Sequence, residues 1–165
     1  MSAVQVDATL VHEAFCRFAT GVVLVFARRG PDLVVARARA FNSLSLDPPL
    51  VLWSLDRAAP RFADFRAAPA FTIHVLADDQ EPLLRSAETL VAQDTSGPEW
   101  QAHPALGLPI HGQCSAWFAC DHVSYFEAGD HGVFVGQIRD CAFNERRPLV
   151  LCAGEYLVPL EHPAR

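Results

Sequence analysis

Two short segments of the sequence combine polar side chains with residues that favour turns, and both could contact a ligand. The first, residues 39–49, presents an amide at Asn42 and hydroxyl groups at Ser43 and Ser45. Such groups, together with backbone N–H groups, can hydrogen-bond a heteroaromatic ring edge, a ribityl chain or a phosphate. The same residues are typical of a turn that satisfies its own backbone, and taken alone they favour that plainer interpretation.

The second segment, residues 125–136, has Gly129, Asp130 and His131 near its centre. Gly129 permits a positive φ, Asp130 suits a turn, and His131 begins the following strand. A histidine in this position can donate a hydrogen bond to a ligand carbonyl or carboxamide, or pair with a phosphate. A plain hairpin with an exposed histidine explains these residues equally well.

Other residue types indicate less specific chemistry. The chain has seven histidines, but none of them forms a pair at a recognised metal-ligand spacing, so no metal site is predicted. The five cysteines are odd in number and lack a C-x-x-C spacing, which is typical of free buried thiols in a reducing cytoplasm. The formal net charge of −6 argues against a nucleic-acid partner.

The hydrophobic pattern predicts mostly strands, with helices near the start and in the middle of the chain. Asp7 can cap a first helix that ends at Gly21. Its apolar face consists of Leu10, Val11, Ala14, Phe15 and Phe18. Further helices are predicted over residues 60–67 and 79–90. Strands are predicted over residues 21–27, 33–40, 50–55, 70–76, 114–126, 132–143 and 148–152. A polar loop is predicted over residues 41–47, and an irregular excursion over residues 92–109.

These elements favour one domain built on antiparallel strands. A length of 165 residues suits a single domain, and closing six or seven strands into a barrel removes exposed sheet edges. The start of the chain lacks a signal-peptide pattern, and no apolar run is long enough to cross a bilayer. We therefore expect a cytoplasmic protein with no membrane partner. A hydrophobic content of 51% with only 19% charged residues indicates a second buried surface, most simply that of a homo-oligomer.

Five segments, in this order along the chain, resemble the flavin reductase-like family. They are residues 18–23, 41–49 and 71–80, the turn Gly129-Asp130-His131 with Phe134 and Gly136, and residues 148–156. The resemblance covers about residues 8–157 of a single domain, 1–165. It implies the FMN-binding split barrel, a mainly β fold with an antiparallel six- or seven-stranded split β-barrel and a few flanking α-helices. The family includes the reductase components of two-component flavin monooxygenases, such as the 4-hydroxyphenylacetate type.

The resemblance also implies a function and a set of site residues. It implies a homodimeric NAD(P)H-dependent flavin reductase that transfers hydride from NADH or NADPH to FMN or FAD, and that supplies reduced flavin to a partner flavin-dependent monooxygenase. The residues implied to contact the isoalloxazine ring and ribityl chain are Ala38, Arg39, Ala40, Phe41, Asn42, Ser43 and Ser45. Those implied near the flavin phosphate are Arg57, Ala59 and Arg61. Those implied at the nicotinamide are Gly129, Asp130 and His131, with His131 the one candidate for a catalytic role and Tyr156 closing the pocket.

The sequence departs from the family pattern at four places. Arg37-Ala38-Arg39-Ala40 stands where a Thr-Ala-Asn-Ser stretch is common, and Ala58-Ala59-Pro60 where hydroxyl residues are usual. His74 replaces a usual Asn, and Leu151-Cys152 replaces a usual Tyr-His. Arg39 can pair with a phosphate or carboxylate, or block the ring. Three alternatives follow: weak, exchangeable flavin binding; a pocket for another planar ligand; or a divergent split barrel that has lost flavin turnover and binds or converts another pathway intermediate.

Overall fold

The computed structural model describes residues 7–87 and 95–158, and within them the chain forms three helices and twelve strands. The helices are α1 (Ala8–Phe15), α2 (Phe62–Ala67) and α3 (Glu81–Ser86). The first six strands are β1 (Thr20–Gly21), β2 (Val23–Arg29), β3 (Asp32–Ala38), β4 (Phe41–Leu46), β5 (Pro49–Asp56) and β6 (Ala70–Val75). The others are β7 (Trp100–Ala102), β8 (Pro109–His111), β9 (Ala116–Ala128), β10 (His131–Phe143), β11 (Val150–Cys152) and β12 (Glu155–Leu157).

A seven-stranded antiparallel sheet organises the molecule. Its strand order is β3-β2-β6-β9-β10-β5-β4. A small sheet, β1-β11-β12, links the two ends of the described chain, and β7 pairs with β8 in a separate ribbon. The prediction of a mainly β fold with antiparallel pairing and six or seven strands is confirmed.

The hydrophobic core lies on both sides of strand β2. Val23, Val25 and Ala27 belong to one buried cluster, while Leu24 and Phe26 belong to a second. Because successive side chains of a strand point to opposite faces, a strand covered on both faces is apolar at every position. This explains why residues 22–27 read as one unbroken apolar run.

Aromatic rings fill the first of these clusters. Trp53 of β5 stacks on Phe134 of β10, with ring centroids 4.4 Å apart and ring planes 15° apart. Phe65 of α2 and Phe71 of β6 approach Trp53 edge-on, at 5.2 Å and 5.6 Å. All four side chains are at most 1% exposed. This group therefore joins three strands and a helix just below the end of the sheet where β5 terminates.

The predicted hairpin between β9 and β10 is confirmed, and its glycines have two different roles. Gly129 has a φ of 65°, a conformation that glycine adopts without strain. Gly136 is instead a position of close approach, where an added Cβ would lie 2.6 Å from the ring of Phe71. The sequence identified the turn, but the packing requirement at Gly136 depends on a residue 65 positions away.

The prediction of a polar loop over residues 41–47 is wrong, because most of this segment is strand β4. It pairs with β5 from Phe41↔Trp53 to Leu46↔Pro49, with an irregularity between Ser43 and Ser45. β4 is an edge strand, so its polar side chains remain mostly exposed and do not alternate with buried apolar ones. A pattern without alternation resembles a loop even though the backbone is fully paired on one side.

The first helix is shorter than predicted, although its start is correct. The side chain of Asp7 accepts a hydrogen bond from the N–H of Thr9 at 2.8 Å, as expected of a cap. Helix α1 then ends at Phe15 instead of Gly21, because Thr20 and Gly21 pair with Leu151 and Val150.

The middle of the chain also differs in detail from the prediction. The helix predicted over residues 79–90 is observed as α3, and residues 88–90 lie outside the described residues. The excursion predicted over residues 92–109 begins outside them too, but it contains β7 and leads into β8. Since β7 and β8 pair with each other and with no other described strand, the excursion is a local ribbon and not wholly irregular.

Candidate functional site

A cleft of about 760 Å³ opens where the end of α1 meets two other segments of the chain. Helix α1 and the residues after it contribute His12, Phe15, Cys16, Phe18 and Thr20. The connection from β3 to β4 contributes Arg39 and Ala40, β4 contributes Phe41 and Asn42, and β5 contributes Leu52. Strand β11 contributes Leu151 and Cys152, and the turn that follows it contributes Ala153 and Gly154. This volume lies within the range of small-molecule and cofactor sites, roughly 300 to 1,000 Å³.

The walls of this cleft are largely apolar, with few polar groups. Phe15 and Phe18 are 73% and 75% exposed, which is unusual for rings of this size in a folded domain. Arg39 and Asn42 bring a guanidinium and an amide to the opposite wall. Apolar walls with a few placed polar groups favour a largely apolar ligand that has a polar edge.

Of the seven residues predicted along 38–45, four lie together in the cleft: Arg39, Ala40, Phe41 and Asn42. Ala38 does not, because its side chain is 3% exposed and belongs to the core. Ser43 lies outside the lining, and Ser45 accepts a hydrogen bond from the N–H of Asp47 at 3.2 Å, which closes the β4–β5 turn.

Arg39 differs from the other arginines that were predicted to contact a ligand. It forms no hydrogen bond or ion pair with any residue in the described ranges. Arg57 instead pairs with Glu127 at 3.1 Å, and Arg61 with Asp64 at 3.5 Å. The positive charge available to an anionic ligand at the cleft is therefore that of Arg39.

The second group of predicted residues assembles where strand β5 ends. The N–H of Arg57 donates to the carbonyl of Asp130 at 2.9 Å, and Asp56 is the strand partner of His131. The carboxylate of Asp56 accepts a hydrogen bond from the N–H of Ala58 at 2.8 Å, which shapes the start of the 57–61 segment. The Gly129–His131 turn and the segment containing Ala59 and Arg61 are thus neighbours.

His131 is held by the residue before it. Its Nδ1 lies 2.8 Å from Oδ1 of Asp130. This hydrogen bond, reinforced by the charge of the ring, lowers the pKa of Asp130. With Nδ1 engaged, the Nε2 atom of the half-buried ring remains for a ligand.

The two groups lie near the same end of the sheet. The carbonyl of Ala40 accepts a hydrogen bond from the N–H of Ser54 at 3.0 Å, so the cleft wall is fixed to β5 two residues before Asp56. Trp53 and Asp56 are three strand residues apart, which corresponds to about 10 Å. A ligand longer than a single ring can therefore contact both groups.

Tyr156 stands one strand away from the cleft. It pairs with Leu151, which lines the cleft, and its half-buried ring packs on the second core cluster.

Sequence reasoning did not select the residues of α1 or of the β11–β12 turn for the site. The only local signal in this turn was Gly154, because both turn residues have positive φ (51° at Ala153 and 84° at Gly154), which glycine adopts readily and alanine rarely.

Across residues 7–87 and 95–158, no group of three or more His, Cys, Asp or Glu side chains is arranged to hold a metal ion. Of the helices in the same ranges, none has the length and apolar character needed to span a bilayer.

Comparison with known proteins gives a consistent result. Residues 15–158 match the family model described as flavin reductase like domain. The FMN reductase (NADH) SmoA of Agrobacterium fabrum is 33% identical over 145 residues, covering 88% of this chain and 82% of that protein. The reductase component of 4-hydroxyphenylacetate 3-monooxygenase of Thermus thermophilus is 30% identical over 136 residues, covering 82% and 85%. The crystal structure of BorF, the flavin reductase component of a bacterial two-component tryptophan halogenase, superposes with a TM-score of 0.85 at 28% identity, covering 94% of this chain and all of that one.

Proposed function

Because the chain belongs to the flavin reductase like domain family, we propose that it is an NAD(P)H-dependent flavin reductase that reduces FMN or FAD. The observation that carries this proposal is the cleft between Arg39–Asn42 and the end of α1, beside the Gly129–His131 turn. We further propose that the reduced flavin supplies a partner flavin-dependent monooxygenase. The 4-hydroxyphenylacetate relative, itself named a reductase component, supports this role.

The residues of the cleft fit a flavin. Phe41 and Leu52 offer apolar surface for the tricyclic ring, and Asn42 offers an amide for its polar edge. The unpaired guanidinium of Arg39 suits a phosphate. Since a guanidinium and a methyl group replace the amide and hydroxyl expected at Arg39 and Ala40, few hydrogen bonds hold the ring. We therefore expect exchangeable flavin, which suits a protein whose product leaves for another enzyme.

A bound flavin supplies the acceptor for a hydride that leaves the C4 atom of the nicotinamide. The protein's contribution is to hold the two rings in register and to exclude water. We assign the cleft wall to the flavin and His131 to the nicotinamide. Asp130 orients His131, and Nε2 of that ring would donate to or accept from the carboxamide of the nicotinamide. Arg57, Ala59 and Arg61 would lie along the phosphate end, and Tyr156 would close the site from β12.

The proposal is tested by binding and turnover. The purified protein is titrated with FMN and FAD, following visible absorbance, and NADH and NADPH oxidation is then measured with and without added flavin. We expect saturable flavin binding and nicotinamide oxidation that depends on flavin. The absence of both would contradict the proposal and favour a split barrel that has lost flavin turnover.

Replacing Arg39 with alanine should weaken flavin binding. Loss of a charge-assisted hydrogen bond at an exposed site corresponds to about a tenfold increase in the dissociation constant for FMN. Arg37→Ala is the matched control, because Arg37 is exposed at the end of β3, two residues before Arg39, but does not line the cleft. An unchanged constant for Arg39→Ala would remove this residue from the site, and a tighter one would mean that the guanidinium blocks the ring.

Replacing His131 with alanine should affect the nicotinamide more than the flavin. Loss of one hydrogen bond predicts a three- to tenfold increase, roughly, in KM for NADH with a smaller change in the FMN dissociation constant. Asp130→Asn keeps the side-chain size and should change KM in the same direction by less. A larger effect on FMN than on NADH would contradict the assignment.

We propose that the protein is a homodimer and a single domain with its core at about residues 8–157. Large apolar side chains are exposed on strands of the main sheet, among them Leu46 (91%) and Phe143 (81%). Exposed apolar surface of this kind is typical of an interface. Light scattering should give twice the chain mass of 18.1 kDa, and Leu46→Lys should shift the protein towards the monomer. A monomer across the micromolar range would contradict the dimer.

We also propose a cytoplasmic location. All five cysteines are free, which suits a reducing compartment. The prediction that they are buried holds only for Cys114 and Cys120. Cys16 and Cys152 are half-buried, and Cys141 is exposed, because it lies on the part of β10 beyond the core.

A further inference from the structure

We propose that Cys16 and Cys152 form a peroxide-sensitive thiol pair that closes to a disulfide inside the cleft. Both residues line the cleft, Cys16 just after helix α1 and Cys152 at the end of strand β11. They come from opposite ends of the chain, 136 positions apart. Neither has a part in the hydride transfer described above.

The backbone holds the two cysteines at a separation that suits a disulfide. The N–H of Ala153 donates to the carbonyl of Cys16 at 2.7 Å. Through this hydrogen bond, standard peptide dimensions keep the α-carbons of Cys16 and Cys152 within about 6 Å of each other. Natural disulfides join α-carbons roughly 4.4 to 6.8 Å apart. The pairing of Thr20 with Leu151 fixes the same two segments a few residues further on.

The neighbourhood of Cys16 supports reactivity at this thiol. Nδ1 of His12 lies 3.8 Å from Sγ of Cys16, one helical turn away, so the imidazole can take the thiol proton. Cys114 and Cys120 are buried, and burial raises the pKa of each thiol to about 12, which keeps them protonated and inert. Cys141 is exposed but lies outside the cleft.

The oxidant is hydrogen peroxide, which forms when a reduced flavin transfers two electrons and two protons to dioxygen. The sulfur of Cys16 attacks one peroxide oxygen, the O–O bond breaks, and the departing hydroxide takes the proton held by His12 and becomes water. This leaves a sulfenic acid on Cys16. Cys152 then attacks that sulfur, the S–S bond forms, and a second water leaves. Two thiols and one peroxide thus give one disulfide and two waters.

Flavin binding and disulfide formation should oppose each other. This coupling rests on the proposed function, because both sulfurs lie on the wall of the cleft assigned to the flavin. A bound flavin then covers the thiols and slows their oxidation. By linkage, the disulfide must weaken flavin binding by the same factor by which flavin disfavours the disulfide. When reduced flavin is released faster than the partner can use it, dioxygen oxidises the excess and peroxide forms. The disulfide that peroxide produces would then weaken flavin binding and slow further flavin reduction.

The disulfide itself is tested without flavin. The reduced full-length protein is treated with excess hydrogen peroxide, free thiols are alkylated, and peptides are mapped by mass spectrometry. We expect a Cys16–Cys152 cross-link within one chain and loss of two of the five free thiols. Cys152→Ser should trap a sulfenic acid on Cys16, Cys141→Ser should behave as the natural chain, and His12→Ala should slow the reaction. Oxidation of Cys141 alone, or a cross-link between chains, would overturn the proposal.

The coupling is tested separately with FMN as the probe. We expect saturating FMN to slow cross-linking at least threefold, and the oxidised protein to bind FMN at least threefold more weakly, with recovery after reduction by dithiothreitol. Equal FMN affinity of the reduced and oxidised forms would overturn the coupling. A chain that forms the cross-link but binds no FMN in either form would contradict the proposed function while leaving the thiol pair intact.

Discussion

Replacing His74 with leucine is expected to remove an acid sensitivity of about 2 to 3 kcal/mol between about pH 7.5 and pH 4.5. The imidazole of His74 is 1% exposed, between the rings of Phe26 and Trp100. Within residues 7–87 and 95–158, neither ring nitrogen of His74 has a partner at good hydrogen-bonding geometry. Burial, with a smaller contribution from the nearby His111, lowers the pKa of His74 from 6.5 to about 3, and the backbone at Leu24 offsets this only in part.

The sign of the effect follows from proton binding. Between pH 6.5 and about 3 the unfolded chain binds a proton at His74 that the folded chain does not bind. The free energy of unfolding therefore falls as the pH decreases below 6.5, by about 1.4 kcal/mol per pH unit, until the folded state is also protonated. Above pH 6.5 this group costs nothing, because both states hold it neutral.

Urea denaturation followed by circular dichroism at both pH values measures the effect. The decisive quantity is the change in the free energy of unfolding between the two pH values, which cancels any packing difference that leucine introduces. His12→Leu is the matched control, since it removes an exposed imidazole on α1. If the free energy of unfolding fell equally in His74→Leu and in the natural chain between pH 7.5 and pH 4.5, His74 would already be protonated in the folded state at pH 4.5.

The environment of His74 illustrates what sequence reasoning can and cannot reach. The alternation within residues 70–76 predicts a strand, and comparison with the family pattern marks the histidine as a departure. Its burial, however, depends on Trp100, which reaches it from the β7–β8 ribbon. That ribbon falls in a segment with no clear hydrophobic period. The sequence therefore contains no local signal that Trp100 will cover His74 and so contribute to its lowered pKa.

The candidate site divides in the same way. The Gly129–His131 turn was predictable, because glycine and aspartate in a hairpin have a local conformational reason to be there. The wall of the cleft was predictable only in part. Arg39 to Asn42 follow from the resemblance, whereas Phe15 and Cys16 enter the site because α1 ends early and β1 pairs with β11. Such a contact between the two ends of a chain has no counterpart in local periodicity.

The second large effect concerns Trp53, whose replacement by alanine is expected to lower the free energy of unfolding by about 3 to 5 kcal/mol. The ring is fully buried, stacks on Phe134 and meets Phe65 and Phe71 edge-on. Alanine removes the transfer free energy of the ring and leaves a cavity lined by three aromatic side chains that cannot collapse into it without moving β5, β6 or β10. Urea denaturation at neutral pH measures the loss.

Trp117→Ala is the matched control, because this tryptophan is only half-buried on β9 and should cost less than about 1.5 kcal/mol. The loss of stability in Trp53→Phe should fall between those of Trp53→Ala and Trp117→Ala.

Trp53 is also the strand partner of Phe41 and lies three residues before Asp56. The smaller ring should therefore loosen the register between the cleft wall and the His131 turn, raising the FMN dissociation constant even where the fold persists. A Trp53→Ala variant no less stable than Trp117→Ala would mean that the stacked pair with Phe134 does not hold β5 to β10, and that the position of the cleft wall relative to the His131 turn does not depend on this core.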